Sequence, residues 1–178
     1  VEGWRQAERL APPAAKKPVK TVRRSQRYIY FLYRDGTVEA RLLSATGHSP
    51  HGENEVSAWQ NVTELIPGRQ HTLALCSDGT VLTAGRGYGQ PYAVSGWKNV
   101  QIIYLSGAMA AAVTAAGTVY ALWADTNEPV EGTEQWRDIT SLALGDDFLI
   151  GLTAGGTVVA AGHNPDVAAG VKAWKNIT

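Results

Sequence analysis

Large side chains alternate with small or polar ones in short runs that are interrupted by glycine. His71, Leu73 and Leu75 form one such run, Ser77-Asp78-Gly79 interrupts it, and residues 80–84 form a second run. Alternation with a period of two indicates a β-strand, and glycine supplies the positive φ that a tight hairpin turn needs. The same pattern recurs over residues 28–40, 110–122 and 148–161. We therefore predict four β-hairpins.

Two sequence markers share one period along the chain, which indicates an internal repeat. Gly-Thr-Val occurs at residues 36–38, 79–81, 117–119 and 156–158. Tryptophan recurs at steps of 38, 39 and 38 residues, at Trp59, Trp97, Trp136 and Trp174. A unit of about 40 residues is too small to bury a core alone, so such units stack into propellers or solenoids.

A third strand is predicted at each repeated tryptophan, which begins a Trp-x-(Asn/Asp)-(Val/Ile) segment, and a weaker fourth near residues 91–94 and 129–130. Four short strands per unit are typical of a propeller blade. The alanines at 108 and 110–112 also fit a helix. Gly107 and Gly117 bound them, however, and their repeat equivalents are β-branched or aromatic, which favours a strand. Their small size suits an inner strand where blades converge.

The repeat divides the chain into a connector and four units. Residues 1–18 are interpreted as an N-terminal strand remnant and a Pro-rich connector, and residues 19–178 as the repeat domain. The units span about residues 19–58, 59–96, 97–135 and 136–178. Units two and four are regular, whereas unit one has Lys16 in place of a tryptophan. Unit three carries Met109 where the regular units have His71 and Phe148, and Trp123 where they have Gly85 and Gly162. The predicted fold class is all-β, a β-propeller of four repeats of about 39 residues.

One segment of the second unit resembles a known repeat. From Gly68 to Gly85 the sequence follows Gly-x-x-His-x-Leu-Ala-Leu-x-x-Asp-Gly-Thr-Val-x-x-Ala-Gly, which resembles the repeat of the regulator of chromosome condensation family. Trp-Lys-Asn-Val resembles the bacterial variety, whose relatives include a propeller-type β-lactamase inhibitor protein. The resemblance implies a propeller that serves as an exchange factor, an inhibitor or a binding scaffold. Because family members usually close a ring of seven blades, four units imply an incomplete ring.

Composition and charge narrow the class of partner. Sixteen basic and sixteen acidic residues cancel, which makes a nucleic-acid partner unlikely because such surfaces carry a basic excess. One local basic run is an exception, and it consists of Lys16, Lys17, Lys20, Arg23, Arg24 and Arg27. We interpret this run as a solvated linker into an edge strand rather than as a phosphate-binding patch. The chain contains no apolar run of 18 residues, so no membrane span is predicted. The single cysteine, Cys76, is predicted to be a packed thiol without a disulfide partner.

Candidate chemistry is sparse, and no cofactor is expected. His48 and His51, with Glu55, are weak candidates for metal ligands in what we expect to be a polar loop, and a carbohydrate- or metal-dependent binding protein or enzyme is the alternative function. Repeat alignment places His71 opposite Tyr28, Met109 and Phe148, which indicates a packing role. The paired Asp146 and Asp147 have no adjacent nucleophile or histidine, and the glycines at 85–89 precede no helix. We therefore predict that the chain is not an enzyme.

The remaining hypothesis is a protein-protein interaction scaffold that binds through its inter-strand loops. Aromatic and arginine side chains on loops are the usual anchors of interfaces. The predicted anchors lie on two loops, one of which also contains Asp125 and Asn127; they are Arg86, Tyr88, Gln90, Tyr92 and Trp123. The partner is predicted to be another protein, with self-association through open blade edges as a further possibility.

Overall fold

Twelve short strands account for almost all of the regular structure in the computed structural model of the chain. The structure describes residues 17–43, 51–86, 91–171 and 173–177. The strands are Val19–Arg24, Tyr28–Tyr33 and Val38–Leu42 (β1 to β3); Val62–Pro67, His71–Cys76 and Val81–Gly85 (β4 to β6); Val100–Leu105, Met109–Thr114 and Val119–Trp123 (β7 to β9); and Ile139–Leu144, Phe148–Thr153 and Val158–Gly162 (β10 to β12). Each set of three forms one antiparallel sheet in chain order. We call these sheets blades 1 to 4, and they confirm the predicted all-β propeller architecture.

The hairpin turns are built on the glycine of each Gly-Thr-Val. This glycine has φ between 71° and 79° in all four blades, a region that glycine enters without the steric cost of a Cβ atom. In blades 1 and 2 the preceding aspartate accepts hydrogen bonds from the threonine; Asp35 Oδ1, for example, accepts from Thr37 Oγ1 at 2.6 Å. In blades 3 and 4 two threonine hydroxyls pair instead, as in Thr114 with Thr118 at 2.7 Å.

The same glycines join each blade to the next unit. The carbonyl oxygens of Gly36, Gly79 and Gly117 accept hydrogen bonds of 2.9 to 3.0 Å from the first backbone N–H of β4, β7 and β10. The residue before each donor is the asparagine or aspartate of Trp-x-(Asn/Asp), and it has φ of 55° to 58° in those three units. Gly-Thr-Val and Trp-x-Asn therefore keep one period because they are the two halves of one contact.

The middle strands of blades 2 and 3 are each buried between two neighbouring blades. In β5, His71, Leu73 and Leu75 point toward blade 3, whereas Ala74 and Cys76 pack with blade 1. Both β5 and β8 are buried along their whole length. Three clusters of buried residues join blade 1 to 2, 2 to 3 and 3 to 4. The described residues contain no such cluster between blades 1 and 4.

Two of the repeated tryptophans, Trp97 and Trp136, pack against the blade that follows them. The Trp97 ring stacks on Tyr120 of β9 with centroids 5.5 Å apart. Trp136 lies so close to Gly151 that a Cβ atom there would be 2.8 Å from its Cζ3. Each tryptophan also donates its backbone N–H to the residue three positions earlier, and those residues, Val56, Val94, Thr133 and Val171, are all buried. This Val/Thr-x-x-Trp signal is present in the sequence.

Several predictions of local structure need correction. No fourth strand forms in the described residues, because Pro129 makes one isolated bridge to Leu122 and residues 91–94 make no ladder. The third predicted strand begins three residues after Trp59, Trp97 and Trp136, and no strand follows Trp174 in the described residues. The alanine run lies in β8, the middle strand rather than the inner one; it is the first strands β1, β4, β7 and β10 that lie side by side. A short helix, α1 (Pro165–Val171), was not predicted.

The basic run near the start of the described chain is a strand rather than a linker. Lys20, Arg23 and Arg24 belong to β1, the edge strand of blade 1, where they are exposed. Lys20 Nζ donates to the carbonyl oxygen of Thr63 in the next blade at 2.7 Å, and Lys17 pairs with Asp35 at 2.8 Å. Lys16 and the predicted connector before it lie outside the described residues.

Candidate functional site

Blade 3 departs from the repeat at the end of its last strand. Blades 2 and 4 end β6 and β12 with Gly85 and Gly162, whose φ values are 96° and 123°. A Cβ atom at either glycine would collide with the backbone at the start of the middle strand of the same blade, at residues 70–71 or 147–148. Blade 3 has Trp123 at this position, without a positive φ, and its side chain is directed toward blade 4. The departure from the repeat therefore places an indole at the end of β9, where blades 2 and 4 have only a glycine.

Trp123 is held against a histidine of the next blade. Its ring stacks on His163 with centroids 4.3 Å apart and an angle of 11° between the planes. His163 follows β12 directly, and its backbone N–H donates to the carbonyl oxygen of Asp147 at 2.8 Å. Trp123 is 9% exposed, whereas His163 is an exposed residue. The two stacked rings thus form an aromatic wall, of which the histidine is the solvent-exposed part.

Two adjoining clefts of about 170 and 160 Å³ share this aromatic wall. The ionisable side chains that line them are one histidine and five carboxylates; the latter are Asp125, Glu128, Glu131, Asp146 and Asp147. All five carboxylates are exposed, and no lysine or arginine among the described residues lines either cleft. We call these two clefts together the acidic cleft. Its lining favours positively charged groups over anions.

Asn127 connects the loop of blade 3 with the loop that follows blade 2. Its backbone adopts φ of 59°, and its side chain reaches across to that loop. Its Nδ2 donates to the carbonyl oxygen of Pro91 at 2.8 Å, and its Oδ1 accepts from the N–H of Ala93 at 3.0 Å. This bridge joins the described part of the first predicted binding loop to the second, and no pattern in the sequence predicted it.

The predicted anchors that the structure describes differ in their exposure to solvent. Arg86 is exposed at the position equivalent to His163, one residue after the last strand of blade 2. Tyr92 is only 3% exposed, and its ring packs on His71 at 4.4 Å. The expectation that Tyr92 projects into solvent is therefore wrong, because this loop folds back onto the core. Trp123 is only 9% exposed and lines a cleft instead of projecting, so its choice as an exposed anchor is wrong as well. Tyr88 and Gln90 lie outside the described residues.

The loop with the weak metal candidates is packed against the core. His48 lies outside the described residues, and the described part of the chain contains no group of three or more His, Cys, Asp or Glu side chains that could hold a metal ion. Glu53 is fully buried, and its backbone carbonyl accepts hydrogen bonds from Tyr30 and Thr72 at 3.0 and 2.8 Å. Residues 51–60 thus form no strand or helix, as a loop requires, but Glu53 within them is buried rather than solvated. The Nε2 atom of His51 instead lies 3.3 Å from Gln70 Nε2.

His71 and Cys76 are packed in the interior, as the sequence predicts. His71 is 5% exposed and packs in the core between blades 2 and 3 beside Tyr92. Cys76 is 7% exposed, and burial raises the pKa of its thiol. A thiol with a raised pKa is less often ionised at neutral pH, and the thiolate is the nucleophilic form. Neither residue lines the acidic cleft.

A larger cleft of about 440 Å³ lies at the opposite end of blades 3 and 4. It is bounded by the turn at residues 114–117 and by the start of β10, and Asp138 is the one ionisable residue lining it in the part of the chain that the structure describes. Its walls therefore offer little chemistry for a specific partner. In the described part of the chain, no helix has both the length and the apolar character to span a bilayer.

Known proteins resemble the chain in fold. No protein-family model matches it, and no curated protein matches it. Human WBSCR16 superposes with a TM-score of 0.62 at 17% identity, over 89% of this chain and 52% of its own. Prp20p of Saccharomyces cerevisiae, the yeast RCC1 protein, superposes with a TM-score of 0.56 at 14% identity, over 93% and 51%. The computationally designed Ika4 protein superposes with a TM-score of 0.56 at 17% identity, over 86% and 96%.

These similarities confirm the propeller-repeat fold that the sequence resemblance implied. The chain spans about half the length of the two natural proteins. Identities of 14% and 17% show a common fold alone. The bacterial variety of the repeat and the likeness to a β-lactamase inhibitor stay predictions.

Proposed function

We propose that the chain is a non-catalytic module that binds another protein through the acidic cleft and the adjoining loops. Its neighbours in fold include proteins with such a role: the Prp20p structure is described with its binding to Gsp1p and histones, and another structure holds yeast RCC1 bound to Kap60. The fold supports a protein-binding role in general. The surface used must come from this chain's own residues, because one fold hosts many functions.

The single observation that carries the proposal is the placement of Trp123. Regular blades have glycine at this position, and the side chain of blade 3 is not needed to form the strand. The indole instead builds a wall between two blades, beside the loops that Asn127 joins. A rigid aromatic wall with polar loops around it is a common feature of protein interfaces.

The charge of the acidic cleft indicates the chemistry of the partner. Five carboxylates line it, while the chain as a whole has no net charge. An arginine or lysine of a partner would meet several exposed carboxylates in this cleft, which favours a cation. We therefore propose that the partner presents a basic, exposed segment of polypeptide.

The test uses a labelled hexa-arginine peptide as the probe and fluorescence anisotropy as the measurement. Glu128→Lys reverses one exposed carboxylate of the cleft and should weaken binding several-fold, because nearby unlike charges become like. The matched control is Glu55→Lys, an exposed glutamate in the loop before β4, and it should leave the affinity almost unchanged. If both variants weaken binding equally, or if the wild-type chain does not bind the peptide at low salt, the proposal is wrong.

A further inference from the structure

All four blades place equivalent connections at one end of the stack. Each sheet is antiparallel in chain order, so its first strand ends, its second strand begins and its third strand ends at the same edge. The same backbone contact joins each blade to the next, so the blades share one orientation. We call this common edge the loop end; its loops between first and second strands are residues 25–27, 68–70, 106–108 and 145–147.

The charge at equivalent positions of the loop end changes sign along the stack. The loop between the first and second strands contains two aspartates in blade 4, whereas it contains Arg69 in blade 2 and Arg27 in blade 1. The first residue after the third strand is His163 in blade 4 and Arg86 in blade 2. The acidic cleft therefore has a basic counterpart at the other half of the same end.

Two of these arginines flank a single backbone contact in blade 2. Gly85, the last residue of β6, lies so close to the carbonyl oxygen of Gln70 that a Cβ atom would collide with it. Arg69 precedes Gln70 and Arg86 follows Gly85, so the two arginines leave the backbone from adjoining segments. Both are exposed residues. Among the described residues neither arginine forms an ion pair, and the exposed Glu55 of the preceding connection pairs with neither.

Blade 1 extends this basic surface beside blade 2. Arg24 is the last residue of β1, Arg27 lies in the loop that follows, and both are exposed. The buried Ser25 between them accepts a hydrogen bond at its Oγ from the Tyr28 N–H at 3.1 Å, which holds the loop in place. We call the four exposed arginines of this half of the loop end the basic surface; they are Arg24, Arg27, Arg69 and Arg86.

We propose that the basic surface binds an acidic segment of polypeptide. An arginine guanidinium presents paired N–H donors that match the two oxygens of a carboxylate. Several guanidinium groups on neighbouring connections also produce a positive potential that attracts carboxylates. None of the four arginines lines the acidic cleft. The inference therefore adds a second site and does not depend on the proposed function.

The charge of the rest of the loop end favours a polypeptide over a nucleic acid. A nucleic-acid strand that continued across the loop end would bring its phosphates to the five exposed carboxylates of the acidic cleft. The chain also has no net charge, whereas nucleic-acid-binding surfaces belong to domains with a basic excess. A polypeptide can present a short acidic segment to the basic surface without placing like charges at the cleft.

The test uses a labelled hexa-glutamate peptide and fluorescence anisotropy at low salt. Arg69→Gln combined with Arg86→Gln removes two cations of the basic surface and should weaken binding by about fivefold or more. The matched control is Arg34→Gln combined with Lys98→Gln, which removes the same charge from exposed residues at the opposite end of the blades. The control should leave the affinity almost unchanged, because its cations are distant from the basic surface.

Three outcomes would overturn the inference. A wild-type chain that does not bind hexa-glutamate at low salt has no such surface. Equal weakening in the double variant and in its control would show a response to overall charge. Tighter binding of a labelled hexathymidylate, lost in Arg69→Gln with Arg86→Gln, would identify a nucleic-acid surface instead. The same double variant should bind the hexa-arginine peptide no more weakly than the wild-type chain, so failure here is distinguishable from failure of the proposed function.

Discussion

Trp136 and Trp174 occupy the same position in consecutive repeats, yet their surroundings differ. Trp136 is 8% exposed beneath blade 4, and Trp174 is 51% exposed at the end of the stack. Their local backbones match, with a hydrogen bond from the tryptophan N–H to the residue three positions earlier in both cases. The comparison shows that the backbone hydrogen bonds around the tryptophan form without a following blade. Burial of the tryptophan side chain, by contrast, requires that blade.

The largest expected effect comes from truncating the two tryptophans. Trp136→Ala should lower the free energy of unfolding by about 3–5 kcal/mol, because it leaves a cavity between two blades. Trp174→Ala should cost about 1 kcal/mol or less in dilute protein, since most of that side chain is solvated. Urea denaturation followed by circular dichroism measures both. Equal losses would contradict the view that the following blade supplies the burial.

The second prediction tests the same packing contact by changing Gly151 instead of Trp136. Gly151→Ala should destabilise the chain by about 1–3 kcal/mol, because the new methyl group would be 2.8 Å from the indole. Gly155→Ala is the matched control, since the nearest atom to its Cβ is Thr153 Oγ1 at 3.9 Å. Thermal unfolding of both variants provides the measurement. A control that loses as much stability as Gly151→Ala would show that any added methyl in this strand and turn is costly.

The third and smallest effect concerns the turns, which differ between the two halves of the stack. The Lys17 ammonium and then Thr37 lower the pKa of Asp35 from 3.8 to about 2, and the Thr80 hydroxyl and backbone N–H lower the pKa of Asp78. A depressed carboxyl pKa contributes stability above its unfolded value, and this contribution is lost as the pH falls through the folded value. Blades 3 and 4 use threonine pairs instead.

Hydrogen exchange of amides in β2, β5, β8 and β11 between pH 5 and pH 2, corrected for intrinsic rates, measures this difference. Protection in β2 and β5 should fall on acidification more than protection in β8 and β11. Asp35→Asn with Asp78→Asn should remove the excess loss. An equal loss in all four strands, or no change in the double variant, would show that the aspartate turns do not set the pH response.

Most of the architecture followed from local patterns in the sequence. The hairpins around Gly79 and Gly156 could be predicted because a positive φ at glycine is a local requirement. The fourth strand was predicted wrongly because the residues at 91–94 turn inward, and Tyr92 packs on His71 across the unit. Such an inward packing depends on residues distant in the chain, which a strand pattern does not reveal.

The candidate site was harder to predict than the fold. The alignment identified Trp123 as a departure from the repeat, but the stacking partner His163 belongs to the next unit and is 40 residues away in the chain. The bridge from Asn127 to Pro91 likewise joins two units. These contacts depend on how neighbouring blades pack, and a single unit's sequence does not contain that information.

The emission of Trp174 compared with that of Trp136 tests the central claim most directly. The spectrum of each side chain is obtained by subtracting that of its phenylalanine variant, Trp174→Phe or Trp136→Phe, from that of the wild-type chain. We predict the longer-wavelength emission of a solvated indole for Trp174 and emission at shorter wavelength for Trp136, because a following blade covers only Trp136. Equal emission wavelengths for the two side chains would contradict the claim that the following blade supplies the burial.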